Sequence, residues 1–420
     1  MTRLKTTTIC GIFSVNERLK RVLKPMTKNK TRLLVIISIL LFSAMLLTAC
    51  SLEKETPLSE TANVSIWYAR DNLMAESFGS FVGQFNKEKG AELNISVTIK
   101  AFQDERALLS AVESAVENDG ELPQIIMGSP DLSAYLMKNG KLTDSELYQQ
   151  SMDLSVYSDE LIKACSCGNK LICVPIAAES DVMMINTAKY SDIKKLDSLE
   201  NLCTIANDYY GESGEYFFTI TDFAAFFSSA MAQLGDRFKA ENPFEYENDN
   251  VRYIYDQLAT SAFKRGYTAA DANPAETVAN GDLVCAVVSA GDVMAAKADM
   301  SDVAFMPCPP MKDGKAVYVQ RVTAMSVLQS DENTETGAAI FIKWFASEEI
   351  NSAYVGFSGF TPASGNAGGI SKTGAPAVYS KLMTAVNSMN HYVYNANADF
   401  ALKSVDFNSI MDNIMKKSLS

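Results

Sequence analysis

A regular alternation of strand and helix patterns between residues 62 and 131 constrains the fold of this chain more than any other feature. Three short segments have the apolar or alternating composition of strands, and they are Val64–Tyr68, Ile95–Ile99 and Gln124–Met127. Between them, apolar residues recur one helical turn apart, at Met74, Phe78, Phe81 and Phe85 and then at Leu109, Val112 and Val116. Strands joined by helices form right-handed crossovers, so the pattern predicts an α/β fold with a parallel sheet.

The turns after the first and third predicted strands form the first candidate ligand site. They contain Trp67–Asp71 and Gly128–Asp131, and parallel strands bring both turns to the carboxyl edge of the sheet. Open α/β sheets bind their ligands at this edge.

The second half of the chain continues the α/β pattern. Buried strands or apolar runs are indicated at Leu171–Val174, Val182–Ile185, Leu283–Val288 and Val303–Met306. A long helix is predicted from about Glu335 and includes Glu349, and residues 358–372 are predicted to form a loop because Gly, Ser, Ala and Thr dominate them. The sequence has no GxGxxG, Walker or GxSxG motif.

The length and net charge of the chain limit the kinds of function that it can have. The chain has 420 residues, 47% hydrophobic and 21% charged, which is ordinary globular composition and enough for two or three domains. The net charge of -13 argues against a nucleic-acid partner, because such surfaces need clustered Lys and Arg. Nine of the 37 Lys and Arg residues lie within residues 1–49, where Glu17 is the single acid. The acidic character therefore belongs to the rest of the chain.

The basic segment leads into an apolar run at Leu33–Leu47, which is typical of a secretion signal. A short membrane anchor is the alternative, but a span needs about 20 apolar residues. The run ends in Leu47-Thr-Ala-Cys50, which resembles a bacterial lipobox. That resemblance implies removal of residues 1–49, acylation of Cys50 and a flexible tether over residues 50–61 on the outer face of the cell membrane. Translation starting at Met26 would give a signal of more usual length.

Six further cysteines are consistent with reducing surroundings, since exported proteins usually pair or avoid this residue. A disulfide such as Cys167–Cys173 stays open, and so does a soft-metal site at Cys165, Cys167 and Cys173. The metal interpretation is disfavoured because no CxxC spacing occurs and His391 is the only histidine. We therefore predict neither a metal nor a cofactor.

Four segments, in the same order and spacing, resemble the extracellular solute-binding proteins of ABC importers, particularly the maltodextrin- and sugar-binding group. These segments are residues 64–71, 171–180 with 184–186, 280–286 with 289–291, and 338–345 with 359–362. The resemblance implies a type II periplasmic-binding-protein-like fold, in which two α/β lobes joined by hinge strands close over a ligand in the cleft between them. Applied to this chain, one lobe comprises residues 62–173 and 306–348, and the other comprises residues 174–305 and 349–420.

The resemblance also implies which residues contact the ligand. Carboxylates accept the hydroxyl groups of sugars, and aromatic rings cover the apolar face of a pyranose. The candidates are Trp67, Tyr68, Arg70, Asp71, Ser129, Asp131, Glu179, Gly291, Asp292, Tyr318, Gln320 and Arg321. The alternative is that Trp67 belongs to the core or the hinge, and that the acids cap helices or face solvent.

Two departures from the family pattern affect the expected ligand. Asp292-Val293 replaces an aromatic residue that the family often has after Gly291, and the predicted loop over residues 358–372 has no tryptophan. A small or differently polar ligand is therefore favoured over a long oligosaccharide. The resemblance implies a monomeric, lipid-anchored binding subunit that delivers its ligand to an ABC permease and is not an enzyme. A surface sensor or adhesin, or a carbohydrate-active enzyme with paired carboxylates, is the alternative.

Overall fold

The computed structural model describes residues 56–69, 74–144, 146–149, 152–236, 248–258, 266–268, 273–358, 360–363 and 377–393. The described residues from Pro57 onward belong to one compact unit. The predicted signal segment, Cys50, Arg70 and Asp71 lie outside the described residues. In the described part, no helix is both long and apolar enough to cross a membrane.

The strands alternate with helices along most of the chain. The strands are β1 Ala62–Ala69, β2 Ile95–Phe102, β3 Ile125–Gly128, β4 Ser166–Cys167, β5 Lys170–Leu171, β6 Val174–Asn186, β7 Phe218–Ile220, β8 Cys285–Ser289, β9 Val303–Met306, β10 Val317–Val327, β11 Thr361–Pro362 and β12 Asn390–Val393. The helices are α1 Met74–Phe85, α2 Ala91–Leu93, α3 Glu105–Glu117, α4 Pro130–Lys138, α5 Glu146–Gln149, α6 Asp159–Ala164, α7 Leu199–Ser213, α8 Phe223–Gln233, α9 Asp249–Asp256, α10 Pro274–Ala279, α11 Ala290–Ala295, α12 Glu332–Phe345, α13 Glu348–Ser358 and α14 Ala377–Asn387. Asn86–Gly90 is a π-helical turn, and Leu154–Val156 and Ile193–Lys195 are 3-10 turns.

The predicted parallel sheet in the first third of the chain is confirmed. Strand β1 pairs in parallel with β2 along its whole length and with β3 on its other side. The apolar residues of β1 alternate because successive side chains point to opposite faces, and Val64 and Ile66 are buried on the α1 side. The carboxyl ends of β1, β2 and β3 therefore lie side by side.

A long strand runs through the middle of the molecule. Two separate apolar runs were expected around residues 171–185, but the structure has one strand of 13 residues, β6. Its first half, up to Ser180, pairs antiparallel with β10, and its second half, from Asp181, pairs antiparallel with β8 and β9. The register shifts at Thr323/Ala324 opposite Pro175, which has no N–H to donate to the ladder.

Ten strands form one mixed sheet, with β2, β1, β3, β10, β6, β8 and β7 as its neighbours in order. Strand β10 was not predicted, although it joins the parallel strands to β6. The two remaining described strands, β4 and β5, form a separate hairpin.

Two predicted boundaries were wrong. Helix α12 begins at Glu332, where Asp331 caps it by accepting a hydrogen bond from the Thr334 N–H, and it ends at Phe345. Glu349 therefore belongs to the next helix, α13. Within the predicted loop over residues 358–372, Thr361 and Pro362 form a short strand that pairs with Ala178 and Ala177 of β6. Strand β10 covers only one side of β6 at these two residues, so the other side is open for pairing.

Candidate functional site

Arg321 lies at the centre of a cluster with three carboxylates, Glu179, Asp181 and Asp222, which we call the Arg321 cluster. Its Nη2 donates to Oδ1 of Asp181 at 2.6 Å and to Oε2 of Glu179 at 3.1 Å. Its Nη1 donates to Oδ2 of Asp181 at 3.2 Å and to Oδ2 of Asp222 at 3.1 Å. The pair with Asp181 is thus bidentate, the geometry in which Arg binds a carboxylate most specifically.

Strand register brings these groups together. Glu179 and Asp181 are two residues apart on β6, so both side chains lie on the same face of the strand. Arg321 is paired directly with Glu179 across the β6–β10 ladder. Since β6 leaves β10 after Ser180 to join β8, Asp181 is held where the two halves of the strand meet.

Two helices that follow parallel strands supply the remaining contacts. Asp222 lies two residues after β7 and caps α8, and its Oδ1 accepts the Ala225 N–H at 2.9 Å. Gly291 is the second residue of α11, which follows β8, and its N–H donates to Oε1 of Glu179 at 3.2 Å. Both Glu179 oxygens are therefore fixed by protein donors, which holds this carboxylate in one orientation.

The cluster contains one guanidinium and three carboxylates, so its charge is not balanced. Burial raises the pKa of Asp181 to about 6, although Arg321 opposes this effect. Burial lowers the pKa of Arg321, but Asp181, Glu179 and Asp222 together raise it well above its ordinary value. Asp181 is the most enclosed acid, with 11% of its side chain exposed, whereas Glu179 and Asp222 are exposed by 18% and 38%. The two outer carboxylates can therefore reach a solute.

A second group of candidates lies at the carboxyl edge of β1, β2 and β3. Ser129 precedes α4, and its N–H donates to Oε1 of Glu105 at 3.2 Å. Burial, with a smaller contribution from Glu105, raises the pKa of Asp131 to about 7. Close to neutral pH, Asp131 can thus donate or accept a hydrogen bond.

The two aromatic candidates on β1 point to opposite faces. Tyr68 is 3% exposed and packs edge-on against Phe78, with ring centroids 5.0 Å apart. Trp67 is half-buried against Phe102, and the Lys100 Nζ lies 4.3 Å from the centroid of its ring.

The other candidates lie around the Arg321 cluster. Tyr318 and Gln320 are buried on β10, and Asp292 follows Gly291 in α11. The Asp292 N–H donates to Oγ of Ser289 at 3.0 Å, which caps that helix. Of the predicted residues, the described contacts thus join Glu179, Gly291 and Arg321 directly, and Ser129 with Asp131 forms a separate group.

A pocket opens where β6 diverges from β10. Asp181, Phe226, Ser229, Val287, Cys308 and Tyr318 line much of it. Burial, with Cys308 nearby, raises the pKa of Tyr318 to about 12, so its hydroxyl is a neutral donor at physiological pH. Within the described residues, no group of three His, Cys, Asp or Glu side chains is arranged to hold a metal ion.

Sequence reasoning missed Asp181 and Asp222. The two-residue spacing from Glu179 was a usable signal for Asp181, because a strand places both on one face. For Asp222, the signal was its position two residues after the short strand Phe218–Ile220, at the point where a helix begins, which is where a capping carboxylate is preferred.

Comparison with known proteins shows which protein family this chain matches. A family model described as bacterial extracellular solute-binding protein matches residues 80–373. No curated protein sequence matches the chain.

Solved structures share the fold over most of the chain. The cyclic α-maltosyl-1,6-maltose binding protein from Arthrobacter globiformis is 15% identical, with a TM-score of 0.63 over 86% of this chain and 94% of that one. An ABC substrate-binding protein from Listeria monocytogenes in complex with cycloalternan is 11% identical, with a TM-score of 0.68 over 86% and 95%. UgpB from Mycobacterium tuberculosis in complex with glycerophosphocholine is 15% identical, with a TM-score of 0.65 over 86% and 98%. The predicted two-lobe, periplasmic-binding-protein-like α/β fold is confirmed.

Proposed function

The chain belongs to the bacterial extracellular solute-binding protein family, and from this membership we propose that it captures a small carbohydrate outside the cell and presents it to the permease of an ABC importer. Proteins of this kind are the substrate-binding components of importers rather than enzymes.

The Arg321 cluster is the observation that supports a carbohydrate ligand. Glu179 and Asp222 are held in place by Arg321 and by backbone N–H groups, and both remain partly exposed. A pre-oriented carboxylate accepts sugar hydroxyls without first paying the entropy of ordering its own side chain. Excess negative charge also disfavours phosphorylated or acidic solutes, because two like charges in a partly buried site repel.

Two of the three similar structures bind ligands that agree with this chemistry. The proteins from Arthrobacter globiformis and Listeria monocytogenes bind cyclic sugars, whereas the protein from Mycobacterium tuberculosis binds glycerophosphocholine. We propose that this chain also binds a sugar, because the Arg321 cluster has more hydrogen-bond acceptors than cations.

The proposed cleft lies between two lobes. Their limits are those that the family resemblance implies: one lobe comprises residues 62–173 and 306–348, and the other comprises residues 174–305 and 349–420. Strand β6 is the natural crossing element, since it pairs with β10 up to Ser180 and with β8 and β9 beyond it. In this arrangement the Arg321 cluster bridges the two lobes, because Arg321 belongs to the first lobe and Glu179, Asp181 and Asp222 belong to the second. Trp67, Ser129 and Asp131 belong to the first lobe. Closure by hinge motion would bring the candidates of the first lobe and the carboxylates of the second lobe around the ligand.

Acylation of Cys50 would hold the protein at the extracytoplasmic face of the cell membrane, with the residues up to 61 as a tether. A tethered monomer meets its permease at high effective concentration, which favours transfer of ligand. Radiolabelled fatty acid incorporation tests this part: the wild type should become labelled, and Cys50→Ala should not.

A thermal-shift screen of residues 51–420, which contain the whole compact unit, tests the carbohydrate proposal. The panel should include neutral sugars, amino acids, polyamines and glycerophosphodiesters. A ligand at one hundred times its Kd adds about 2.7 kcal/mol to the free energy of unfolding. Stabilisation by a neutral sugar is the expected result. Stabilisation by a different class alone overturns the carbohydrate assignment, and turnover of a sugar without stabilisation favours the enzyme alternative.

A further inference from the structure

Two cysteines flank the small hairpin that precedes the central strand. Cys165 lies directly after α6, and Cys173 lies directly before Val174, the first residue of β6. The hairpin between them consists of β4 and β5, joined by a turn in which Gly168 has a φ of 61°. The Ile172 N–H donates to the Cys165 carbonyl at 2.8 Å, which closes the hairpin at its base.

The side chain of Cys173 contacts Cys165. The Cys173 thiol donates to the carbonyl oxygen of Cys165 at 3.9 Å, and the two thiols are close enough to interact electrostatically. Both residues have an exposure of 0%, so the contact is shielded from solvent. Among the other described cysteines, Cys203, Cys285 and Cys308 are buried too, and the Cys285 thiol donates to the carbonyl oxygen of Phe217 at 3.6 Å.

We propose that Cys165 and Cys173 form a disulfide bond when the chain folds outside the cell. The oxidant is a disulfide of the exporting environment, R–S–S–R. The thiolate of one cysteine attacks it and releases one R–SH; the thiolate of the other then attacks the mixed disulfide and releases the second R–SH. Two electrons and two protons pass from the cysteine pair to the two released thiols, so the exchange balances.

The timing of the bond follows from its surroundings. Hydrogen bonding to Cys173 and burial raise the pKa of Cys165 well above its ordinary value, so the packed Cys165 thiol is a poor nucleophile. Exchange therefore takes place during folding, while the hairpin is still accessible. The completed bond would join the end of α6 to the start of β6, the strand that carries Glu179 and Asp181.

Peptide mapping of the exported full chain tests the pairing. The chain is produced in a bacterial host with an active thiol-oxidising system, treated with iodoacetamide at harvest and digested without reductant. The expected product is a pair of peptides linked through Cys165 and Cys173, lighter by two hydrogen atoms than the two free-thiol peptides together. Alkylation of both residues under these conditions, or a Cys167–Cys173 linkage, would overturn the proposal.

Matched variants separate this bond from accidental oxidation. Cys167→Ala removes the half-buried neighbour on the hairpin and should keep the Cys165–Cys173 linkage, whereas Cys173→Ala should leave Cys165 free for alkylation. Addition of reductant should lower the melting temperature of the wild type and of Cys167→Ala by a few degrees, because the closed segment restricts the unfolded chain. If Cys173→Ala does not fold, the wild-type map and the Cys167→Ala map still decide the outcome.

Discussion

Arg321 forms a bidentate ion pair with Asp181, with its Nη2 2.6 Å from Oδ1 and its Nη1 3.2 Å from Oδ2. The two residues are 140 positions apart in the sequence and are carried by different strands of the sheet. The pair fixes Asp181 at the point where β6 passes from β10 to β8, and the same guanidinium orients Glu179 and Asp222.

Replacing Arg321 by Met should destabilise the protein, because it leaves three partly buried carboxylates without their shared cation. We expect a loss of about 3 kcal/mol in the free energy of unfolding at pH 7, measured by urea denaturation. Arg321→Lys keeps the charge but cannot form the planar fork, so its loss should be smaller. Equal stability of the wild type and Arg321→Met would show that the Arg321 cluster does not hold the strands together.

Two substitutions of Asp222 can separate its role as a helix cap from its proposed role in ligand binding. Asn is as good a helix cap as Asp, so Asp222→Asn should change stability little, whereas Asp222→Ala should cost about 1 kcal/mol. If the charged oxygen binds the solute, Asp222→Asn should still weaken binding by about tenfold. Calorimetric titration and urea denaturation of both variants provide the measurement. Unchanged affinity in both variants would leave Asp222 with a capping role only.

The raised pKa of Asp131, about 7, predicts a pH dependence of stability. The folded state binds this proton more tightly than the unfolded state, whose ordinary value is 3.8. Ionising Asp131 lowers the free energy of unfolding. This loss of stability is absent at pH below about 4 and increases as the pH rises to about 7. Asp131→Asn removes that loss, so it should stabilise the protein by up to about 4 kcal/mol at pH 8 and have little effect at pH 4. A difference between variant and wild type that is constant across this range would contradict the assignment.

The tryptophans report on the proposed cleft. The chain has two of them, and Trp344 packs on α12 against Phe85, with ring centroids 5.2 Å apart. Trp344→Phe therefore leaves Trp67, beside Lys100 at the edge of the sheet, as the only emitter. Ligand binding should change its fluorescence intensity or wavelength. An unchanged spectrum at saturating ligand would place Trp67 outside the ligand contacts.

Local patterns in the sequence were sufficient for the parallel part of the sheet. Residues 64–68 and the stripe through Phe78, Phe81 and Phe85 indicate β1 and α1 because alternation and helical spacing depend on neighbouring residues alone. Strand β10 could not be recognised this way, since Gln320 and Arg321 interrupt its apolar pattern and its partners lie far away in the sequence. A strand in the centre of a sheet tolerates a charged residue only where an opposite charge meets it, and sequence spacing does not reveal that partner.

In the candidate site too, some residues could be predicted from the sequence and others could not. Glu179 and Arg321 were predicted through the resemblance to a family, and the structure shows that they form an ion pair 3.1 Å long. The resemblance supplied no reason to single out Asp181 or Asp222, because their positions matter only through a guanidinium contributed by β10. Whether these residues contact a ligand stays a prediction.

Calorimetric titration of neutral sugars from the thermal-shift panel into the wild type and Glu179→Gln tests the central claim most directly. Glu349→Gln is the matched control, because that acid is exposed on α13. We predict that a neutral carbohydrate binds the wild type and the control with the same affinity, and that Glu179→Gln weakens it by about tenfold or more. Failure of every neutral sugar to bind, or equal affinity in all three proteins, would contradict a carbohydrate site at the Arg321 cluster.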